Sequence, residues 1–101
     1  MILKNKEFDV SSEVGNNYRF SMFAKASNEN QILKLRIKTI SNSNLVSYKT
    51  SNLYTLSNTN YELLTFDYTI PANTQKLEFQ VILGKQTGTY FLDDFFVNKL
   101  E

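Results

Sequence analysis

The chain has 101 residues, carries a net charge of +1 and contains neither Cys nor His. This length suits one domain built around one core, so residues 1–101 are predicted to form a single domain. The absence of thiols and imidazoles excludes a disulfide framework, a Cys or His metal site and most nucleophilic catalysis. The small charge and the lack of a long apolar run argue against nucleic acid or a membrane as a partner.

Period-two alternation of apolar and polar residues predicts strands along most of the chain. It is clearest in YRFSMFAKA, which begins at Tyr18, and in ILKLRIKTI, which begins at Ile32. It continues in YELLTFDYTI, which ends before Pro71, where a strand loses a hydrogen-bond donor, and in KLEFQVIL. No segment sustains the helical period.

Clusters of Asn, Ser and Gly separate these segments and are typical of turns. Short strands with turns at about ten-residue intervals predict an all-β fold, an antiparallel β-sandwich of jelly-roll type. The predicted strands are residues 6–11, 17–26, 31–40, 45–50, 53–57, 61–69, 75–83 and 89–98.

Two consecutive carboxylates, Asp93 and Asp94, stand in the aromatic stretch GTYFLDDFFV. Neighbouring side chains of a strand point to opposite faces, so we expect one of the two to point inward. A buried carboxylate needs a specific partner, because burying it alone costs several kcal/mol. The neighbouring Phe91, Phe95 and Phe96 are expected in the core, with at least one on the opposite face from the others.

A basic row, Lys34, Arg36 and Lys38, shares one face of its predicted strand because of the period-two spacing. Arg19 and Lys25 are expected to join it from a neighbouring strand. The row predicts a groove for an acidic or sulfated polysaccharide, in which Arg holds a carboxylate or sulfate with two hydrogen bonds. The alternative is an ordinary solvated sheet face.

Two tyrosines, Tyr48 and Tyr54, lie in the polar stretch SNSNLVSYKTSNLYTLSNTN. A tyrosine ring can stack on the apolar face of a sugar while its hydroxyl stays in water, so both are candidate ligand-binding residues. The alternative is that they are half-buried strand residues.

Three motifs follow one another along the chain: GNNYRFSMFAKAS, TNYELLTFDYTIP and LEFQVILGKQTGTYFLDDFFV. In this order they resemble the jelly-roll carbohydrate-binding modules of families four, nine and twenty-two, which are appended to bacterial polysaccharide-degrading enzymes. The resemblance covers about residues 13–98. It rests on Gly15, Tyr18, Phe20, Ser21, Ala24, Lys25, Tyr61, Tyr68, Pro71, Gly88, Tyr90, Asp93 and Asp94. The chain has no Trp and reaches YRFS sooner than family members do, so the front of the jelly roll is expected to be shortened.

The resemblance implies a non-catalytic module that holds a polysaccharide near a tethered enzyme, as part of a protein that is secreted or displayed on the cell surface. It also implies a structural calcium ion held by Asp93, with Asp9 and Glu7 as further ligands. Without calcium, Asp93 is expected to accept amide or hydroxyl hydrogen bonds.

The residues themselves do not suggest an enzyme. A glycosidase sets two carboxyl groups facing each other across a sugar, whereas adjacent strand residues such as Asp93 and Asp94 diverge. The second hypothesis is a structural or adhesive β-sandwich domain of a multidomain surface protein, which binds protein or acts as a spacer. A concave face bearing a Tyr and the basic row would favour the glycan. A flat apolar patch or an unpaired edge strand would favour protein contact.

Overall fold

The computed structural model of this protein describes residues 2–5 and 7–100. Within these residues the strands are β1 (Ile2–Lys4), β2 (Phe8–Asp9), β3 (Asn17–Ala26), β4 (Ile32–Ser41), β5 (Val46–Thr50), β6 (Tyr54–Thr55), β7 (Glu62–Thr69), β8 (Thr74–Leu83) and β9 (Tyr90–Leu100). A short 3-10 helix, Ser11–Glu13, follows β2. No helix in the described part of the chain is long and apolar enough to cross a membrane.

The strands form two antiparallel sheets, which pack on each other as a β-sandwich. The larger sheet has the order β1–β8–β4–β5, with β2 also paired to β8 and β6 to β4. The smaller sheet has the order β7–β3–β9. The predicted fold class, an all-β antiparallel sandwich of jelly-roll type, is confirmed.

The core lies between the sheets because the long strands each place alternate apolar residues on their inner face. Phe79 of β8 is at its centre and is almost fully buried. Its ring stacks on Phe20 at 5.5 Å and on Phe95 at 4.6 Å between ring centroids, which ties the two sheets together. The buried apolar residues are Phe20, Met22, Ala24, Ala26, Leu33, Leu35, Ile37, Leu56, Leu64, Ile70, Leu77, Phe79 and Val81.

The turns fall where the Asn-rich clusters predicted them. Asn30, Asn44 and Asn73 have φ angles of 67°, 65° and 64°, in the left-handed region that Asn tolerates better than most residues. These residues lie in the clusters SNEN, SNSN and PANTQ. The loop composition therefore reflects a backbone requirement.

The predicted strand 6–11 is the least accurate of the eight. Its first residue, Lys6, lies outside the described residues. Strand β2 ends at Asp9, because the Asp9 carboxylate accepts hydrogen bonds from the Ser11 amide (2.9 Å) and hydroxyl (2.7 Å) and turns the chain. Strand β1 was not predicted, because three residues are too few to show a period.

Candidate functional site

The basic row lies on the outer face of the larger sheet. Along β4 the aliphatic residues point into the core, so Lys34, Arg36 and Lys38 point away from it. Lys34 is exposed, and the other two are half-buried. The outer face therefore has a line of three cations along its central strand.

Tyr48 on the neighbouring strand β5 packs against this row. It lies opposite Lys38 in the strand register, and the guanidinium carbon of Arg36 is 4.3 Å from the centroid of its ring. This is a cation–π contact, and Arg stacks well because its guanidinium is flat. Tyr48 is still 54% exposed, so the aromatic side chain remains accessible.

On its other side, Arg36 enters a hydrogen-bonded chain of side chains. Its Nε donates to Gln80 Oε1 at 2.7 Å, and Gln80 Nε2 donates to Glu78 Oε1 at 2.6 Å. Gln80 is 1% exposed and Glu78 is 8% exposed, although both lie on the outer side of β8. Polar groups with so little contact with water must be satisfied by the protein, and here they satisfy one another.

This arrangement fixes Arg36 in one position, between the Tyr48 ring and the Gln80 amide. An aromatic ring, a guanidinium and a carboxylate are therefore set side by side on a sheet face. These groups suit a sugar, whose ring has an apolar face and whose hydroxyls take planar donors and acceptors. Together, Tyr48, Arg36, Gln80 and Glu78 are called the polar network below.

A shallow cavity of about 270 Å³ opens beside Lys34, at the end of the same row. Its walls are mainly aliphatic and include Ile32, Leu53, Ile82 and Leu83. The outer face thus has a polar centre and an apolar depression at one end.

Tyr54 does not join the site. Its side chain packs against the core, and its hydroxyl donates to the Thr65 carbonyl oxygen at 2.7 Å. Burial raises the pKa of this phenol above its ordinary value. Because Tyr54 is on β6 and Thr65 is on β7, the bond links the two sheets and sets Tyr54 apart from Tyr48, and ligand binding by Tyr54 stays a prediction.

Arg19 and Lys25 do not join the row either. Both lie on β3, on the outer face of the smaller sheet. Arg19 forms a two-point ion pair with Asp67, with Nε to Oδ1 at 2.7 Å and Nη2 to Oδ2 at 2.9 Å. The expectation that they extend the row is wrong because β3 and β4 belong to different sheets.

The expectation that one of Asp93 and Asp94 points inward is also wrong. Both Asp93 and Asp94 are exposed. The pairing of β9 with β3 shifts between Ser21 and Phe23, because Asp94 is an extra residue in a β-bulge with a φ of 51°. Its amide donates to Asp93 Oδ1 at 2.9 Å. The bulge lets two neighbouring carboxylates both face water.

The bulge also reverses the alternation of the phenylalanines around it. Phe95 turns into the core and stacks on Phe79, whereas Phe91 and Phe96 are exposed on the outer face. The expectation that all three belong to the core is therefore wrong for Phe91 and Phe96.

The carboxylates predicted to hold calcium do not form one ligand set. Asp93 and Glu7 are exposed, and Asp9 is engaged with Ser11, whose backbone and hydroxyl hydrogen bonds lower the pKa of the Asp9 carboxyl. Among the described residues there is no group of three or more acidic side chains that could hold a metal ion. The three carboxylates are thus not gathered into one acidic cluster, and calcium binding stays a prediction that melting with calcium or a chelator would test.

Glu78 and Gln80 are the site residues that the sequence reasoning missed. The signal was present, since Leu77, Phe79 and Val81 alternate with them and point inward. Their position opposite Lys38 and Arg36 depends on the register between β4 and β8, which alternation alone does not give.

No protein-family model and no curated protein sequence matches the chain. Solved structures do match its fold. The CBM22-1 xylan-binding domain of Paenibacillus barcinonensis Xyn10C aligns with a TM-score of 0.70 and 13% identity over 92% of this chain. The CBM22-1 and GH10 modules of Clostridium thermocellum xylanase 10B, complexed with xylohexaose, align with a TM-score of 0.75 and 13% identity over 92% of this chain and 19% of theirs.

A family 4 module aligns with a TM-score of 0.71 and 20% identity, over 98% of this chain and 61% of that one. The chain spans 62% of the length of the Paenibacillus domain. At sequence identities this low, the alignments show similarity of fold alone. The chain has the jelly-roll fold of the carbohydrate-binding modules of families 4 and 22.

Proposed function

We propose that this chain is a non-catalytic carbohydrate-binding module, and that the outer face of the larger sheet binds the glycan. The observation that carries the proposal is the polar network, in which Arg36 is held between the Tyr48 ring and Gln80. Groups held in place before binding lose little side-chain freedom when a ligand arrives. The structural neighbours with this fold include domains described as xylan-binding, which supports a polysaccharide as the ligand class.

The ligand we propose is a polysaccharide with acidic or sulfated groups. Lys34 and Lys38 flank Arg36 on the same face, so a chain lying along β4 would pass three cations in succession. The Tyr48 hydroxyl and the Arg36 guanidinium would form hydrogen bonds with uncharged hydroxyls between the acidic groups, while the buried Gln80 and Glu78 hold Arg36 in place. The network and the row thus suit a glycan that has both kinds of group.

The same proposal includes tethering to an enzyme in a larger exported protein. One neighbour consists of a family 22 module together with a family 10 catalytic module, which supports this arrangement. A tethered module raises the local concentration of substrate near the catalytic domain without taking part in the chemistry.

The test is the binding of three glycans by isothermal titration calorimetry. Xylohexaose, a glucuronic-acid-bearing xylan and heparin represent neutral, acidic and sulfated ligands, each measured at low and high ionic strength. We expect binding of the acidic or sulfated ligand to weaken as salt rises, because screening weakens contacts between exposed charges. Arg36→Ala and Tyr48→Ala should each weaken binding at least tenfold.

The chain supplies matched controls for both substitutions. Arg19→Ala removes the other arginine, and Tyr61→Ala removes an equally exposed tyrosine, and both lie on the other side of the sandwich. These two variants should bind like the parent chain. Equal losses at the control positions, or no binding of any of the three glycans, would contradict the proposal.

The second candidate function is a structural or adhesive domain. The observation that favours it is an apolar surface on the smaller sheet, where Tyr61, Leu63, Phe91 and Phe96 are exposed. This surface lies apart from the polar network and can serve a separate contact.

A further inference from the structure

The outer face of the smaller sheet is rich in aromatic side chains. Phe23 and Lys25 of β3 lie between Tyr61 and Leu63 on one side and Phe91 and Phe96 of β9 on the other. The Lys25 ammonium is 5.9 Å from the centroid of the Tyr61 ring and 5.6 Å from that of Phe91. These six residues are called the aromatic face below.

The aromatic face exposes a continuous apolar area. Tyr61, Leu63, Phe91 and Phe96 are each between 38% and 50% exposed. Side chains of this size have up to about 200 Å² of surface, so the four together expose roughly 350 Å². An apolar patch of this size is comparable to the largest patch on a typical single protein, which is often an interaction site.

Two opposite charges occupy fixed places within this face. In the register of β3 and β9, Lys25 lies beside Phe91, and Phe23 lies beside Asp93. These four residues form a square, in which the two charges occupy one diagonal and the two phenylalanines occupy the other. Neither Lys25 nor Asp93 forms a salt bridge with another described residue.

We propose that the aromatic face associates with the same face of a second copy of this chain. A two-fold axis lying in the contact plane along the Phe23–Phe91 diagonal exchanges the two charged corners. Each Lys25 then faces Asp93 of the other copy, and each phenylalanine on the axis faces its own counterpart. A two-fold interface requires a patch that is complementary to itself, and this square is complementary in both charge and apolar surface.

A glycan fits this face less well. Lys25 approaches both the Tyr61 and the Phe91 rings, so a sugar would compete with the ammonium for them. Gln80 and Glu78 anchor the polar network on the larger sheet, and the aromatic face has no comparable pair of buried polar side chains among the described residues. The composition of the aromatic face is typical of a protein–protein interface.

The size of the patch predicts a weak dimer. A stable interface buries about 800 Å² on each partner, and the aromatic face with its charged rim falls below that value. Association should therefore be reversible and should depend on concentration. If the larger sheet binds glycan as proposed above, such a dimer would present two glycan faces pointing away from each other and would bind a polysaccharide with two sites.

Sedimentation velocity tests the association directly. Over loading concentrations from about 10 µM to 1 mM, the range of weak complexes, the average mass should rise from 11.7 kDa toward twice that value. Phe91→Ser should weaken association at least tenfold. Tyr48→Ser, which changes an exposed aromatic residue on the other face, should leave it unchanged.

A charge exchange gives a sharper test of the proposed geometry. Lys25→Glu and Asp93→Lys should each abolish self-association, because each variant sets like charges against each other. An equimolar mixture of the two should associate again, because both contacts across the axis then join opposite charges. Thermal melting of each variant establishes that it is folded, and because Asp93 is exposed its substitution leaves the core intact.

The outcomes distinguish self-association from the binding of another partner to the aromatic face. They also distinguish it from the proposed binding of glycan to the larger sheet. A parent chain that stays monomeric at every concentration overturns it, as does a mixture of the charge variants that fails to associate. A loss of glycan binding in Phe91→Ser without any change in mass would also overturn it, because it would assign the face to sugar. Loss of glycan binding in Arg36→Ala bears only on the larger sheet.

Discussion

The two outer faces of the sandwich are built on the same alternation but present different chemistry. On the larger sheet, two polar side chains, Glu78 and Gln80, are nearly excluded from water and hold Arg36 in place. On the smaller sheet, the aromatic side chains of Phe91 and Phe96 are in contact with water. A buried polar network and an exposed apolar patch are the two departures from the usual surface that carry information about function.

The difference shows which part of each strand sets the fold and which part sets the function. Most inner positions of β3, β4 and β8 are apolar because they contribute to one core, and Thr39 of β4 is a buried polar exception. The outer positions are free of this requirement. On the larger sheet, the outer positions hold hydrogen-bond donors, acceptors and cations. On the smaller sheet, they hold aromatic side chains.

Phe79→Ala should have the largest effect on stability, because this residue joins the two sheets in the core. Its ring stacks on Phe20 and on Phe95 at the centre of the core, and removing a buried Phe side chain costs about 3–5 kcal/mol of unfolding free energy. Denaturant unfolding measures the loss. Phe96→Ala, at an exposed ring on the smaller sheet, should cost less than about 1 kcal/mol, and equal losses would mean that the core is not centred on Phe79.

Gln80→Ala should have the next largest effect, and it acts on one face only. It removes the partner of both Arg36 and Glu78, and leaving buried polar groups without partners costs about 1–3 kcal/mol. Asp67→Asn breaks an ion pair on the smaller sheet and should cost much less, because that pair is exposed to water. The urea midpoints of the two variants compare their stabilities. A larger loss of stability in Asp67→Asn would mean that the ion pair on the smaller sheet matters more than the buried network on the larger sheet.

Substitutions in the bulge beside the aromatic face should have intermediate effects on the unfolding free energy, and the size of the effect should depend on the residue introduced. Asp94→Val should cost about 1–2 kcal/mol, because a β-branched residue is strained at a φ of 51°. Asp94→Gly should be tolerated, since glycine adopts this conformation freely. Asp93→Asn should change the unfolding free energy by less than about 0.5 kcal/mol, because Asp93 is exposed. A strong destabilisation by Asp93→Asn would show that this carboxylate is buried after all.

Lowering the pH should have the smallest effect on stability, and the ion pair between Arg19 and Asp67 on the smaller sheet should account for part of it. Hydrogen bonds from Arg19 hold the pKa of Asp67 below its ordinary value. The stabilisation is therefore present above the unfolded carboxyl pKa, near about 4, and is lost as the pH falls through the folded value. Melting temperatures between about pH 7 and pH 2 should fall, and Asp67→Asn should reduce part of that fall. An identical pH profile for the variant would exclude this pair as a cause.

Much of the fold follows from the sequence. The alternation in β3, β4, β7 and β8 placed these strands to within two residues, because each of them has one face in a single core. The bulge was not predictable in the same way. An extra residue such as Asp94 is recognised only against the partner strand, and simple alternation along β9 wrongly predicts that one of the two aspartates points inward.

The candidate site was predictable in part, for a related reason. The shared face of Lys34, Arg36 and Lys38 was predictable, because period-two spacing puts such residues on one face of any strand. Tyr54 looked equivalent to Tyr48, but β6 lies where the sheets meet, so its ring packs inward. The pairing of Gln80 with Arg36 required the register between β4 and β8, which depends on the tertiary structure.

The proposed binding of the glycan to the outer face of the larger sheet can be mapped residue by residue. Its most direct test is to follow the backbone amide resonances of the ¹⁵N-labelled chain as xylohexaose or the glucuronic-acid-bearing xylan is added. We expect the largest shifts on β4, β5 and β8, around Arg36, Tyr48 and Gln80, with little change on β3, β7 and β9. Shifts centred on Phe91 and Lys25 would place the glycan on the smaller sheet and contradict the account.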